Sequence, residues 1–224
     1  MNVSEIFYSI QGEGFFVGTP SVFFRFSGCP LRCVWCDTPY TSWKPEKNQI
    51  GHDLALSTIE DYGANHVVFT GGEPFAQAKA LEQLCQDLSH DYMITIETAG
   101  VTYHPVEADL ISLSPKLSNS TPIGTQFADR HEKQRLNYEV LAEFNDNHAC
   151  QWKFVIQTED DLAEVEDLEV EFKLDNQQIY LMPESRTKKE VSQKSRWLAE
   201  VCKENGWRFS PRLHVDIWGD QRGV

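Results

Sequence analysis

Residues 21–38 read SVFFRFSGCPLRCVWCDT, an apolar run followed at once by three closely spaced cysteines. The run Ser21–Phe26 is rich in valine and phenylalanine, which favours a β-strand. Cys29, Cys33 and Cys36 follow with the spacing C-x3-C-x2-C. Thiolates suit soft metal centres, and iron–sulfur clusters are held mostly by cysteine. The stretch therefore predicts a strand that leads directly into a metal-binding loop.

The number of thiolates in this loop limits what it can hold. Three thiolates would leave one iron of a [4Fe-4S] cubane free to chelate an amine and a carboxylate, and the aromatic Trp35 could pack beside an adenine. A structural zinc site or reduced core cysteines are the alternatives. A closed zinc site needs a fourth ligand, and no Cys or His occurs in the fifteen residues after Cys36, with His52 next. The pattern favours the cluster.

Outward from this loop, short β-rich runs alternate with helical patterns. The predicted strands are Ser21–Phe26, His66–Thr70, Met93–Glu97, Leu110–Ser114, Trp152–Gln157 and Gln178–Met182, with flanking strands at Ser4–Ile10 and near Arg208–His214. The predicted helices cover 75–89, 132–146, 159–171 and 188–205, the last closed by Asn205 and Gly206. Segments 39–65 and 117–131 have weaker patterns and are expected to be looser.

This alternation predicts an α/β fold with a parallel sheet and right-handed crossovers. Six parallel strands are too few for a complete eight-stranded barrel, so we expect a partial (β/α) barrel in a single domain over residues 1–224. Ligands should gather at the carboxyl ends of its strands.

Composition narrows the class of protein further. The 224 residues are 41% hydrophobic and 24% charged, as in a globular chain, and the net charge of −14 disfavours nucleic acid as a partner. No apolar run approaches the ~20 residues that span a bilayer, and the N-terminus lacks a signal peptide. We therefore expect a cytoplasmic protein with no membrane contact, a small-molecule substrate and no disulfides among its six cysteines.

A second motif follows the strand His66–Thr70. The sequence there continues Gly71-Gly72-Glu73-Pro74, and two glycines let a ligand approach the backbone at a strand end. Two other strand ends carry Ser114-Pro115-Lys116 and Met182-Pro183-Glu184-Ser185. Each of these stretches could also be an ordinary turn.

Taken together, these motifs carry a resemblance. The C-x3-C-x-aromatic-C pattern resembles the signature of the radical S-adenosylmethionine superfamily, with Gly71–Glu73 similar to its GGE motif. Within it, several stretches closely resemble the 7-carboxy-7-deazaguanine synthase family. They are Glu5–Gly14, Arg25–Cys29, Cys36–Thr38, Thr70–Pro74, Ile96–Gly100 and Ser114–Lys116, with further matches at 180–185 and 207–219.

The resemblance implies a partial β/α barrel, a [4Fe-4S] cluster, S-adenosylmethionine and Mg2+. A reduced cluster would cleave S-adenosylmethionine to an adenosyl radical that takes hydrogen from the substrate. The implied reaction converts 6-carboxy-5,6,7,8-tetrahydropterin to 7-carboxy-7-deazaguanine with loss of ammonia, a carbon–nitrogen lyase step on the route to queuosine. It further implies a homodimer and a reducing partner of the flavodoxin or ferredoxin type.

The resemblance also implies roles for individual residues. Cys29, Cys33 and Cys36 would hold the cluster, and Thr38 would offer Mg2+ a hard oxygen. The S-adenosylmethionine site would comprise Trp35, Asp37, Gly72, Glu73, Ser114, Pro115, Lys116, Met182, Pro183, Glu184 and Ser185. The substrate site would comprise Ile10, Gln11, Gly12, Glu13, Arg25, Thr70 and His214. Glutamine and glutamate match the polar edge of a pterin, and arginine matches a carboxylate.

Two other functions remain open at this point. A glycyl-radical-enzyme activase would share the cysteines and Gly71–Glu73, but its protein substrate needs an open site, which Arg25 and Gln11–Glu13 do not favour. A non-enzymatic zinc-stabilised binding module would bind zinc and leave S-adenosylmethionine intact. The tail after His214 is longer than in some family members, so no role is assigned to Val224, and 117–131 carries no recognised motif.

Overall fold

The structure is a computed structural model that describes all residues, 1–224. Eight strands form one sheet in the order of the sequence. They are β1 (Val3–Ile10), β2 (Pro20–Phe26), β3 (His66–Gly71), β4 (Met93–Thr98), β5 (Leu110–Leu113), β6 (Cys150–Ile156), β7 (Ile179–Pro183) and β8 (Arg208–Phe209). Strand β1 runs antiparallel to β2, and every later pair is parallel. The two outer strands, β1 and β8, are not paired with each other, so the sheet is open.

Seven helices connect the strands and follow the last one. They are α1 (His52–Asp61), α2 (Ala78–Leu88), α3 (Ala128–Gln134), α4 (Tyr138–Asn147), α5 (Leu162–Phe172), α6 (Lys188–Asn205) and α7 (Leu213–Trp218). Helix α6 illustrates how local sequence sets the bounds. The Thr187 side chain accepts from the backbone N–H of Glu190 at its start, and Gly206 ends it with a φ of 72° in the left-handed region. None of the helices is long and apolar enough to cross a bilayer.

The structure corrects several sequence predictions. The helix predicted over 132–146 is two helices, because Asn137 caps α4 by accepting from Val140 N–H and so begins a new helix. The segments expected to be looser contain α1 and the start of α3. The C-terminal strand has only two residues, since Pro211 follows closely and α7 begins at Leu213.

Alternation along the strands separates the core from the site. Phe24, Phe69, Ile96 and Phe154 are fully buried in a core of 33 residues. The residues next to them in each strand point their side chains to the opposite face of the sheet and line a cavity. They are Arg25, Thr70, Glu97 and Lys153. Because successive strand residues point to opposite faces, one face of the sheet packs on helices and the other presents polar groups.

Candidate functional site

A cavity of about 410 Å3 brings together most of the predicted site residues. Those that line it are Ile10, Gln11, Gly12, Glu13, Arg25, Cys29, Cys33, Trp35, Cys36, Asp37, Thr38, Thr70, Gly72, Ser114, Lys116, Met182 and His214. Five predicted residues do not line it, namely Glu73, Pro115, Pro183, Glu184 and Ser185. The cavity thus collects residues from both termini and from most strands.

The three cysteines of the loop are reduced and face this cavity together. Burial raises the pKa of the Cys33 thiol to about 12 and moves the pKa of Cys29 in the same direction, so these groups ionise only with a compensating positive charge. No three His, Cys, Asp or Glu side chains converge on one point as around a single metal ion. In a cubane each thiolate binds a different iron, so its ligands lie further apart. The donor set fits an iron–sulfur cluster.

Segment 117–131, which carried no recognised motif, supports this cysteine loop. The backbone N–H of Val34 donates to the carbonyl of Ser120 at 2.9 Å, and Trp35 Nε1 donates to Asn119 Oδ1 at 3.1 Å. The N–H of Arg32 donates to Nδ1 of the buried His131 at 3.0 Å. These bonds fix the backbone on both sides of Cys33.

His131 is held as a neutral ring with one defined tautomer. Because Nδ1 accepts from Arg32, the proton lies on Nε2, which is 2.9 Å from Ser120 Oγ. The Ser120 hydroxyl in turn donates to the carbonyl of Leu117. Burial lowers the pKa of His131, which keeps the ring uncharged. The histidine therefore links α3 to the cysteine loop.

The Gly71–Glu73 turn is packed against the start of the same loop. A Cβ at Gly72 would lie 2.1 Å from the Gly28 carbonyl oxygen, so only glycine fits there. The Glu73 carboxylate is buried and accepts from Thr98 Oγ1 at 2.7 Å and from Ala99 N–H at 2.9 Å. Burial raises its pKa. The Glu73 side chain thus joins the ends of β3 and β4 beneath the cavity and does not point into it.

Another wall of the cavity combines Lys116, Ser114 and Trp35. The Lys116 ammonium donates to both the carbonyl and the hydroxyl of Ser114, at 2.7 and 2.8 Å, and lies 6.0 Å from the centre of the Trp35 ring. This wall thus offers a cation, a hydroxyl and an indole face at one place.

The predicted residues Glu184 and Ser185, which do not line the cavity, bond to other parts of the protein. The Glu184 carboxylate pairs with Lys194 at 2.9 Å, and the Ser185 hydroxyl donates to the carbonyl of Thr187.

A buried charge network contributes another part of the lining. Burial alone would raise the pKa of Glu13, but Lys153, Arg212 and His214 outweigh it and hold this carboxyl ionised. Burial would lower the pKa of Lys153, but Glu13 and Glu97 raise it to about 12. Arg212 also pairs with Asp37 and, against the effect of burial, lowers its pKa. The cavity lining therefore holds ionised carboxylates that are paired with buried cations.

Glu97, which sequence reasoning missed as a site residue, accepts hydrogen bonds from two predicted site residues. Its Oε1 accepts from Gln11 Nε2 at 3.2 Å, and its Oε2 accepts from Thr70 Oγ1 at 2.7 Å. Lys153 Nζ lies 3.8 Å from Oε1. In β4, buried Ile94 and Ile96 alternate with polar residues, and this pattern could have indicated that Glu97 points to the polar face of the sheet. For Lys153, the available signal was a lysine within the otherwise mostly apolar strand β6.

Arg25 and the N-terminal loop complete the polar lining. The Arg25 Nε lies 2.8 Å from Glu5 Oε1 in an ion pair that lacks the alignment of a hydrogen bond. A Cβ at Gly12 would lie 2.2 Å from His214 Nδ1, so the glycine allows α7 to approach the loop. The Gly12 carbonyl accepts from the N–H of Leu213 at 2.9 Å. These contacts bring His214 to the cavity.

The C-terminal tail, residues 219–224, covers part of the cavity and was not assigned a role from the sequence. Arg222 pairs with Glu46 at 2.7 Å and with Glu5 at 3.1 Å, and its guanidinium lies 4.0 Å from the centre of the Tyr40 ring. Asp220 pairs with Arg186 at 2.7 Å. No sequence pattern signalled these contacts, because they join residues far apart in the chain.

Comparison with known proteins places this site in a class. Residues 24–121 match the model of the radical SAM superfamily. The fold matches the crystal structure of QueE from Escherichia coli with a TM-score of 0.69 at 27% identity, covering 95% of this chain and 93% of that one. The protein is a radical SAM protein, and this superfamily carries a [4Fe-4S] cluster and S-adenosylmethionine.

Sequence relatives narrow the class to one family. The chain is 38% identical to the 7-carboxy-7-deazaguanine synthase of Halobacterium salinarum, over 97% of this chain and 90% of the relative. It is also 38% identical to the 7-carboxy-7-deazaguanine synthase of Rhodopirellula baltica, over 99% of this chain and 88% of the relative. The chain belongs to the 7-carboxy-7-deazaguanine synthase family. The family resemblance found in the sequence is confirmed, and these likenesses do not favour an activase or a zinc module.

Proposed function

We propose that this protein converts 6-carboxy-5,6,7,8-tetrahydropterin to 7-carboxy-7-deazaguanine with release of ammonia, as a carbon–nitrogen lyase in queuosine and 7-deazapurine biosynthesis. One observation carries the proposal: a single cavity is lined both by the three cysteines and by the network of Glu13, Glu97 and Lys153. Family membership supports the same reaction.

The cofactor part of the proposal assigns roles to the cysteine loop and its surroundings. Cys29, Cys33 and Cys36 would hold the [4Fe-4S] cluster, and S-adenosylmethionine would bind beside it. When bound, this pair supplies the one-electron chemistry that removes a hydrogen atom from the substrate. Trp35 offers a ring face, and Lys116 offers a cation within reach of the cofactor's polar groups. Asp37, Gly72, Ser114 and Met182 complete the proposed cofactor lining.

The remaining predicted cofactor residues act from behind the cavity in this proposal. Glu73 sets the shape of the Gly71–Gly72 turn through its bonds to Thr98 and Ala99. Pro183 ends β7, and the backbone of Glu184 and Ser185 follows it directly, with the Glu184 carbonyl bonded by Lys194. Pro115 similarly directs the chain after β5. In this proposal these residues hold the lining residues in position, and the lining residues make the direct contacts with the cofactor.

The substrate part of the proposal rests on matching donors and acceptors. The ionised Glu13 and the carboxyl oxygens of Glu97 accept N–H bonds from a pterin, while Gln11 and Thr70 hold Glu97 in place. Arg25 binds the substrate carboxylate with the guanidinium donors left free by Glu5. Ile10 and Gly12 contribute backbone groups, and His214 lies beside them. A site that satisfies each polar edge discriminates strongly between similar rings.

Three further parts of the proposal follow from family resemblance. Mg2+ would bind at Thr38, a residue of the cavity lining, with the substrate carboxylate and waters as further hard oxygens. The enzyme acts as a homodimer in the cytoplasm. It receives electrons from a flavodoxin-type or ferredoxin-type protein, and its charge of −14 suits a small-molecule substrate better than a nucleic acid.

An anaerobic assay tests this proposal. The protein is reconstituted with iron and sulfide, then given reductant, S-adenosylmethionine, Mg2+ and 6-carboxytetrahydropterin, and products are identified by mass spectrometry. We expect 7-carboxy-7-deazaguanine, and none with Cys33→Ala. Cleavage of S-adenosylmethionine without this product would overturn the substrate assignment, and full activity of Cys33→Ala would overturn the cluster assignment.

A further inference from the structure

The turn that follows the cysteine loop places a serine hydroxyl against one of the three thiols. Ser42 Oγ lies 3.2 Å from Cys36 Sγ, a hydrogen-bonding distance for sulfur, and Ser42 is only 3% exposed. The hydroxyl bonds to no other group of the protein. Cys36 Sγ has one other hydroxyl neighbour, Thr38 Oγ1, at the longer distance of 3.8 Å. Ser42 therefore makes the closer of the two hydroxyl contacts to this sulfur.

Hydrogen bonds of the residues on both sides of Ser42 hold it against the loop. Thr41 is fully buried, and its carbonyl accepts from the N–H of Gly28, at the start of the loop, at 2.8 Å. On the other side, Trp43 Nε1 donates to the carbonyl of Cys33 at 3.1 Å. Because both flanking residues are bonded to the cysteine loop, the position of the Ser42 hydroxyl is fixed relative to that loop.

Iron binding decides the direction of this hydrogen bond. Between a thiol and a hydroxyl, either group can donate. A cysteine that binds iron is a thiolate and carries no proton, so the Ser42 hydroxyl must then donate and Cys36 Sγ must accept. The contact becomes a charge-assisted hydrogen bond, which is stronger than a bond between two neutral groups.

This bond distinguishes Cys36 from the other two cysteines of the loop. No side-chain hydroxyl bonds to the sulfur of Cys29 or Cys33. Hydrogen bonds to the sulfurs are among the features that set the reduction potential of an iron–sulfur cluster. Reduction adds one electron, and part of its charge lies on the sulfurs. A donor at Cys36 Sγ therefore stabilises the reduced cluster more than the oxidised one.

We propose that the Ser42 hydroxyl donates to the cluster thiolate of Cys36 and raises the reduction potential of the cluster. Ser42 is a positioning residue in this role, because it acts on the cluster through Cys36. The inference rests on the proposed function, in which the cluster must be reduced before S-adenosylmethionine is cleaved. In the reduction step the cluster accepts one electron from the reductant, no bond breaks, and Ser42 keeps its proton.

The midpoint potential of the reconstituted cluster tests this inference. Ser42→Ala removes the donor. Ser27→Ala is the matched control, because Ser27 is also buried and precedes the loop, but its hydroxyl donates to the carbonyl of Glu46. An anaerobic redox titration, followed by the electron paramagnetic resonance signal of the reduced cluster, gives each potential. We expect a cluster about tenfold harder to reduce in Ser42→Ala, a shift of about 59 mV to more negative potential, and no shift in Ser27→Ala. Equal potentials in Ser42→Ala and the unaltered protein would overturn the inference.

A second pair of variants decides the matter if Ser42→Ala does not retain its cluster. Ser42→Thr keeps a hydroxyl, whereas Ser42→Val has nearly the same shape without one. We expect the potential of Ser42→Thr to lie about 59 mV above that of Ser42→Val, and equal potentials would overturn the inference. The titration uses no pterin, so its outcome is independent of the substrate. Absence of 7-carboxy-7-deazaguanine from an enzyme with the expected potentials would overturn the proposed function and leave the role of Ser42 standing.

Discussion

The Lys153 ammonium donates to the Glu13 carboxylate and lies 3.8 Å from the Glu97 carboxylate, although Lys153 comes 140 residues after Glu13 in the chain. One buried cation therefore holds two carboxylates that line the same cavity. Burial of an unpaired charge is costly, and Glu13 stays ionised because this ammonium acts together with Arg212 and His214.

Replacing Lys153 with Met tests this arrangement. The variant removes the ammonium from both carboxyl groups and leaves Arg212 as the remaining partner of Glu13, so we expect a loss of about 1 to 3 kcal/mol in the free energy of unfolding. We also expect kcat/KM for the pterin to fall by about 100-fold or more, since both carboxylates are displaced. Lys153→Arg, which keeps the charge, should recover part of both losses. Denaturant unfolding and steady-state kinetics measure them, and unchanged values for Lys153→Met would contradict the account.

The stability of the protein should depend on pH through His66. This buried ring lies 2.8 Å from Ser21 Oγ and 2.9 Å from Thr95 Oγ1, and burial lowers its pKa from 6.5 to about 4. Between pH 6.5 and pH 4, His66 is protonated in the unfolded chain but neutral in the folded protein. The free energy of unfolding therefore falls as pH decreases from 6.5 to 4. The loss is about 3 kcal/mol at most.

A matched variant isolates this histidine from other titrating groups. His66→Gln keeps a hydrogen-bonding side chain but cannot titrate. We expect the difference in unfolding free energy between the two proteins to change over pH 6.5 to 4 and to be constant at higher pH. A difference that does not vary with pH in that window would show that His66 titrates normally in the folded protein.

His131 should control how firmly the cysteine loop holds its cluster. His131→Ala removes the acceptor for Arg32 N–H, and a buried N–H without a partner costs about 1 to 3 kcal/mol. We expect the reconstituted variant to retain clearly fewer than the roughly four irons per chain of one cubane. His90→Ala, at an exposed histidine, is the control. Iron analysis after gel filtration measures retention, and equal iron in both variants would refute the positioning role.

Thr38 should determine the response to Mg2+. Thr38→Ala removes the proposed hard-oxygen ligand from the cavity lining, so we expect activity that no longer rises when Mg2+ is added. Thr38→Ser, which keeps the hydroxyl, should preserve the response. Initial rates across a Mg2+ titration provide the measurement. A normal Mg2+ response in Thr38→Ala would exclude this threonine as a ligand.

Arg222 should hold the C-terminal tail over the cavity. Its partners, Glu5 and Glu46, are on elements distant from the tail, and the Tyr40 ring lies beneath its guanidinium. Arg222→Ala should speed hydrogen exchange in residues 213–224 and raise KM about fivefold, because partly exposed ion pairs contribute about 1 kcal/mol. Arg196→Ala, at an unpaired arginine, should change neither. Unaltered exchange in the tail would show that other contacts hold it.

Local patterns were sufficient to predict much of this protein. The strand Ser21–Phe26 and the cysteines after it are encoded by adjacent residues, so their structure follows from short-range sequence. The bounds of α6 are likewise set by Thr187 and Gly206 at its ends. Six predicted parallel strands all occur, and the short β8 adds a seventh.

Long-range contacts explain what the sequence could not predict. Arg212 reaches Glu13 across 199 positions, and no local pattern marks such a pairing. Glu73 lies in a motif that predicted ligand contact, and no local pattern indicated that Thr98 and Ala99 donate to its carboxylate. The break between α3 and α4 depended on one cap, Asn137, within an otherwise helical pattern.

The central claim is that this cavity carries out a ring contraction of a carboxylated tetrahydropterin. The most direct measurement is the amount of 7-carboxy-7-deazaguanine and of ammonia formed per S-adenosylmethionine consumed by the reconstituted enzyme. We predict equal amounts of the two products, in excess of the S-adenosylmethionine consumed, because the proposed reaction returns the hydrogen atom and uses S-adenosylmethionine as a true cofactor. Ammonia without the deazaguanine, or one S-adenosylmethionine consumed for each product formed, would contradict the account.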